Sequence, residues 1–196
     1  MRALKPKFIV GIGGSAGALN AYKALLGALP SDTDMAFIIV SHMNPTAYSE
    51  LALILSRHTE MPILVASTEM PIWRNCIYVI PPDADLLVVN YSLKVVSPRS
   101  RRNKQIDLLF ISLAESMKTH AIGVVLSGYD GDGTEGCRQI KAKGGITFSQ
   151  DESADVIHMP LSAQASDCVD FVLSPDKIAA EITKISKKEK ARAKKL

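Results

Sequence analysis

Residues 7–19 read KFIVGIGGSAGAL, and the change of character inside this stretch sets the reading of the whole chain. Residues 7–12 are almost wholly apolar and run into glycines, as a strand buried on both faces does. From Leu19 the apolar positions Leu19, Tyr22, Leu25, Leu26 and Leu29 recur at helical spacing until Pro30 closes them. Strand, glycine-rich turn and helix in that order make a β-turn-α unit. Such units build parallel sheets, because parallel neighbours need a crossover connection.

The pattern repeats outward. Residues 35–41 read as a second buried strand, 47–57 as a helix and 62–66 as a third strand. Short β runs at 76–80, 86–89 and 93–96, divided by Pro81-Pro82 and by Asn90-Tyr91-Ser92, predict a β-rich excursion near 75–97 that contains a hairpin. Helical spacing returns over 106–117. A buried strand at 121–126 then leads into a glycine-rich loop, 127–136, and a helix ending near Lys143-Gly144-Gly145. Short strands at 146–148 and 169–173 complete the set, with a helix predicted near Met159-Pro160. The expectation is one doubly wound α/β domain with a mainly parallel sheet and helices on both faces.

Composition limits the function classes. Of 196 residues, 47% are apolar and 22% charged, the profile of a packed globular chain. No apolar run approaches the ~20 residues a bilayer-crossing helix needs, and the N-terminus lacks a secretory pattern, so cytoplasmic residence without membrane insertion is expected. Cys76, Cys137 and Cys168 have neither disulfide-framework nor zinc-ligand spacing. The net charge of +3 conceals a division: residues 184–196 carry seven Lys or Arg against one Glu, leaving the remainder about −3. With no basic patch and interleaved aromatics elsewhere, nucleic acid is not an expected partner.

In doubly wound sheets ligands bind beyond the carboxyl ends of the strands. Ser15 follows the first strand, His42 ends the second, and Asp132 lies in the loop after 121–126. Read singly, Ser15 suits a helix N-cap, His42 a packed strand end and Asp132 a turn. Their shared placement makes them a candidate triad, in which His42 takes the Ser15 proton and Asp132 orients His42. Gly13-Gly14-Ser15-Ala16-Gly17 also fits the G-x-S-x-G elbow, which exposes a serine oxygen beside free helix N–H groups. Two other readings stand beside it. Gly11-x-Gly13-x-x-Ala16 is a degenerate dinucleotide fingerprint, although the second strand ends in Ser41-His42-Met43 rather than an acidic residue. An ordinary hydrolase order would recruit His158 after Asp130 or Asp132. His58 and His120 suit exposed or capping positions.

Several segments together resemble the catalytic domain of the CheB protein-glutamate methylesterases. They are Ile9-Val10-Gly11-Ile12-Gly13-Gly14-Ser15-Ala16-Gly17, Val40-Ser41-His42-Met43, Tyr78-Val79-Ile80-Pro81-Pro82, Ile106-Asp107-Leu108-Leu109-Phe110, Val125-Leu126-Ser127-Gly128 through Asp132-Gly133, and Met159-Pro160-Leu161-Ser162-Ala163. The resemblance covers about 7–185, implying a catalytic domain over 1–185 and a basic tail over 186–196. It implies the order Ser15, His42, Asp132, against His158. It also implies hydrolysis of glutamate γ-methyl esters on chemoreceptor signalling helices, allows glutamine deamidation, and requires no cofactor or metal.

Backbone oxyanion donors carry over to Ala16 and Tyr129, with Ala16 standing where relatives often have Thr. The regulatory receiver domain usual in the family has no counterpart here. The chain looks closest to receiver-less members fused to receptor methyltransferase modules, which makes such a methyltransferase a candidate partner. Asp167 and Gly17-Ala18 are further departures from the usual pattern. Arg99, Arg101, Arg102 and Lys104 are either a solvated loop or a guide for an acidic receptor helix. A weakly catalytic binding module of the same fold is the competing functional class.

Overall fold

The computed structural model describes residues 5–42 and 48–193; the expectations touching Arg2, Met43, Ala47, Lys194 and Lys195 lie outside them. Strand β1 (Ile9–Gly14) is central, flanked by β2 (Ala36–Ser41) and β7 (Ala121–Val125). The sheet order is β3-β4-β2-β1-β7-β8-β9, with β3 at Ile63–Val65, β4 at Cys76–Val79, β8 at Ile146–Gln150 and β9 at Phe171–Leu173. Every pairing in this sheet is parallel. The chain leaves β1 toward β2 on one side and returns to β7 on the other. The carboxyl end of β1 is therefore the switch point at which a site is expected.

β1 extends two residues beyond the expected strand end, because its glycines stay in the ladder: Gly13 pairs with Val40 and Val125, and Gly14 with Ser41. Glycine here marks close approach rather than a strand stop. A methyl group on Gly13 would overlap the Ile106 side chain, and one on Gly11 would lie 2.9 Å from the Phe110 ring. These glycines let α3 (Gln105–Met117) lie directly on the central strand. The Gly11-x-Gly13 spacing is thereby explained by helix packing rather than by a pyrophosphate.

Alternate residues of the strands feed two cores. On one face Ile9, Ile38, Val40 and Tyr78 pack with Ile106, Leu109, Phe110 and Leu113 of α3, and with Cys137 and Ile140 of α4 (Thr134–Ala142). On the other, Val10, Ile12, Phe37 and Ile39 meet three helices. These are α1 (Ala18–Ala28), α2 (Tyr48–Leu55) and α6 (Pro175–Ala193). The remaining helix, α5 (His158–Gln164), covers the first face near β8. α6 buries Ile178, Ala179 and Ile182, a helical stripe in a segment for which the sequence had suggested no element. Through Ala193 the basic stretch from 186 continues this helix: Ser186 is buried, its Oγ donates to the Thr33 carbonyl at 2.5 Å, and Glu189 pairs with Lys7.

The β-rich excursion divides in two. β4 enters the main sheet between β3 and β2, so the antiparallel hairpin is only β5 (Asp85–Val89) and β6 (Ser92–Val96). Asn90 and Tyr91, at φ 49° and 63°, form its two-residue turn with both central φ values positive, as a type I′ turn requires. The hairpin leans on α3, where the Ser112 hydroxyl accepts the Val88 N–H at 3.0 Å and the Ser116 hydroxyl donates to the Val88 carbonyl at 2.8 Å. This fixes the loop leading into α3. Among the described residues no helix is long and apolar enough to cross a membrane.

Candidate active site

Three loops meet at the carboxyl end of β1. The His42 N–H donates to the Gly14 carbonyl at 3.2 Å, the Leu126 N–H to Gly13 at 2.8 Å, and the Ser15 N–H to Ser127 at 2.8 Å. Ser15 is thus stitched between the loop after β2 and the loop after β7. It does not cap α1: Gly17, at φ 75°, holds the N-cap position, and no side chain caps the helix. The bland reading of Ser15 as a cap therefore fails, and its hydroxyl is not committed to α1. Gly17 is required twice over, by its left-handed φ and because a methyl there would lie 2.7 Å from both Ser127 Oγ and Asp155 Cβ.

His42 and Asp132, 90 positions apart, are joined directly. His42 Nε2 lies 2.7 Å from Asp132 Oδ2, with the imidazole 8% and the carboxylate 0% exposed. Asp132 is held by three further donors: the Ile106 N–H at 3.0 Å, the Asp107 N–H at 2.8 Å and the Gly133 N–H at 2.9 Å. Two of these are first-turn amides of α3, so the carboxylate sits on a helix N-terminus, where negative charge is favoured. Four donors leave it little freedom to rotate. A carboxylate so held keeps a proton on Nε2 and leaves Nδ1 as the ring nitrogen that can gain or give up the second one.

Nδ1 makes no hydrogen bond among the described residues. The Asp130 Oδ2 atom lies 3.3 Å away, as an ion-pair contact outside hydrogen-bond geometry. Burial acts to lower the His42 pKa, but the carboxylates of Asp130 and Asp132 outweigh it and push the value up to about 9. Asp130 contributes most of its share through this close polar contact with the ring, and less through longer-range charge attraction. For Asp130, burial acts to raise the carboxyl, while His42, the Asp132 N–H and Lys104 overcome it and leave the group below its ordinary range.

The family follows from comparison with known proteins. The CheB methylesterase family matches residues 10–182. The chain belongs to that family. A Leptospira interrogans protein, to which protein-glutamate methylesterase and protein-glutamine glutaminase activities are provisionally ascribed in its name, is 34% identical over 172 residues, 86% of this chain and 89% of its own length. Rhizobium meliloti has a protein-glutamate methylesterase/protein-glutamine glutaminase, of its group 3 operon, that is 33% identical over 189 residues; these are 94% of this chain and only 53% of that protein. The Thermotoga maritima CheB methylesterase catalytic domain superposes with a TM-score of 0.84 at 26% identity, covering 91% of this chain and 98% of that one.

Within this CheB-family fold the other expected residues are placed unevenly. Ala16 and Tyr129 lie exposed on the two loops joined by the Ser15–Ser127 bond, and the Ser127 hydroxyl donates to the Ala16 carbonyl at 2.7 Å. The Tyr129 ring, 68% exposed, stacks on His158 with centroids 6.0 Å apart. It is His42, not His158, that meets the Asp132 carboxylate. His120 packs on Phe8 at the start of β7, at the opposite end of the strand from the site. Arg99 is taken by Asp83 at 3.3 Å, and Lys104 by Asp107 at 2.9 Å. Arg101 and Arg102 remain exposed, with no ion pair among the described residues.

Three contributors escaped the sequence reading. Ser127, fully buried, ties the turn after Ser15 to the loop before α5 by also accepting the Val156 N–H at 2.9 Å. Asp107 accepts the Gly133 N–H at 2.9 Å and the Gly136 N–H at 2.8 Å, fixing the start of α4 beside Asp132. Asp130 had been weighed only as an alternative acid. The one available signal was that Asp107 and Ser127 lie inside the segments that carry the family resemblance.

Proposed function

We propose that the protein is a protein-glutamate methylesterase that hydrolyses glutamate γ-methyl esters on the signalling helices of chemoreceptors, with Ser15, His42 and Asp132 as its catalytic residues. The observation that carries this reading is the 2.7 Å bond from His42 to an Asp132 held by three backbone amides, next in the strand-end loops to a serine whose side chain caps no helix. The names of the relatives supply the ester.

The reaction follows from these roles. Ser15 Oγ attacks the ester carbonyl while His42 Nδ1 takes its proton, and Asp132 stabilises the imidazolium through Nε2. The backbone N–H groups of Ala16 and Tyr129 are the assigned donors to the oxyanion. His42 then gives its proton to the departing methoxide, releasing methanol and leaving an acyl-Ser15. Water, deprotonated by His42, attacks this acyl group; the glutamate carboxylate departs and Ser15 recovers its proton. Glutamine deamidation uses the same path with ammonia as the leaving group.

Arg101 and Arg102 are suited to draw in an acidic helix by long-range attraction. A receptor methyltransferase, the class of enzyme that makes this ester, is the natural counterpart in the same signalling system. The test is trapping with a serine-reactive phosphonate. A mass gain confined to Ser15, lost in Ser15→Ala, is expected. No adduct on Ser15 would contradict the nucleophile assignment and favour a binding module.

A further inference from the structure

We propose that Asp130 is a positioning residue which, in the free protein, holds His42 Nδ1 in its protonated form, so that the site rests with its base occupied until this carboxylate is drawn away. The inference rests on the reading of His42 as the base. With Nε2 committed to Asp132 at 2.7 Å, Nδ1 is the ring nitrogen left to take the Ser15 proton. That nitrogen has no hydrogen-bond partner among the described residues, and the nearest charge to it is the Asp130 carboxylate at 3.3 Å.

A lone pair on Nδ1 facing a carboxylate is repelled, whereas a proton there is attracted, so the geometry favours the imidazolium. The two carboxylates nearest His42 agree in sign. The loop after β7 contributes Asp130 and Asp132, both negative. Lys104, at the start of α3, acts on both carboxylates but is itself bound to Asp107 at 2.9 Å. The raised pKa of His42 is consistent with this arrangement.

Asp130 is also lightly held by its own loop and reachable from solvent. Its carboxylate is 29% exposed, against none for Asp132, and it stands between exposed Tyr129 and exposed Gly131. Its tie to the loop is a single 3.2 Å bond from the Asp132 N–H to Oδ1. Asp132 orients the ring from one side, while Asp130 sets from the other whether the ring is available as a base.

The experiment compares wild type with Asp130→Asn, which keeps the Oδ1 acceptor for the Asp132 amide and removes the charge. The imidazole of His42 is titrated by NMR in the resting protein, and kcat/KM for methyl-ester hydrolysis is followed against pH. Asp130→Asn should lower the His42 midpoint by about one pH unit or more. The acid limb of kcat/KM should move by the same amount, with a several-fold gain in activity near pH 7. Asp130→Ser should shift both in the same direction.

An unmoved midpoint in both variants overturns the proposal, as does a lowered midpoint with an unmoved acid limb. Because the titration needs no substrate and no Ser15, it judges Asp130 independently of the nucleophile. Loss of the Ser15 assignment shows separately, as esterase activity that survives Ser15→Ala.

Discussion

Asp107 and Asp132 each cap the helix that the other belongs to or introduces. Asp132, two residues before α4, accepts the Ile106 and Asp107 amides that open α3; Asp107, in the first turn of α3, accepts the Gly133 and Gly136 amides at the start of α4. The exchange locks two helix N-termini together around the carboxylate that orients His42. Asp107 is thus a positioning residue for Asp132, with Lys104 completing its second oxygen.

Asp107→Ala takes the side-chain acceptor from the Gly136 amide and leaves the Gly133 amide to Asp132 alone, a loss of roughly 1–3 kcal/mol of stability. It should also lower kcat more than it raises KM, because Asp132 loses its fixed orientation without touching substrate. Asp107→Asn, which retains an acceptor oxygen, should recover much of both. Urea denaturation and steady-state kinetics measure the two effects; an Asp107→Ala protein with wild-type kcat would contradict the positioning role.

Gly13→Ala tests the approach of α3 to β1. The added methyl meets the branched Ile106 side chain, which is fully buried and has no room to retreat. A loss of about 1–3 kcal/mol is expected, as for other overpacked cores. Combining it with Ile106→Ala should cost less than the two changes added together; strict additivity in denaturant midpoints would show that Ile106 is not what the methyl strikes.

The His42 cluster couples stability to pH. His42 is raised from its ordinary 6.5 to about 9, so the folded state holds the proton more tightly than the unfolded chain. Its contribution is complete below about pH 6.5 and is lost as pH rises through about 9, on the order of 3 kcal/mol in total. His42→Gln should flatten that part of the stability profile. Equal slopes for the two proteins between pH 6 and pH 10 would contradict the assigned charge state. The same proton that stabilises the fold blocks the base, so stability and base strength trade against each other over this range.

How far the sequence carried depends on the distance over which each feature is determined. β1, β2, β7 and their following helices were legible because each is a local apolar pattern, and the strand-end rule then gathered Ser15, His42 and Asp132. The end of β1 was misjudged because a glycine reads locally as a stop, while its reason, Ile106, lies far along the chain. α6 was missed because its few buried apolar residues, Ile178, Ala179 and Ile182, are interspersed with charged ones. Asp107 and Asp130 act through partners on other loops. Nothing in their own neighbourhoods distinguishes them from turn and helix-start residues.

Arg101 and Arg102 offer a kinetic test of substrate guidance. Replacing both with Gln should lower kcat/KM on receptor helices several-fold at low salt, with the deficit shrinking as ionic strength rises and the Debye length falls. A small neutral methyl ester should be hydrolysed by the variant at the wild-type rate. A deficit independent of salt would mean that the two arginines act by contact or on folding, and not by steering.

The central claim is that Ser15 is the nucleophile of a methylesterase. Methanol release from methyl-esterified receptor helices, measured for wild type and for a folded Ser15→Ala protein of unchanged denaturant midpoint, tests it most directly. The account predicts release by wild type and a loss of about a thousandfold or more in the variant. Methanol release by Ser15→Ala at the wild-type rate would contradict it.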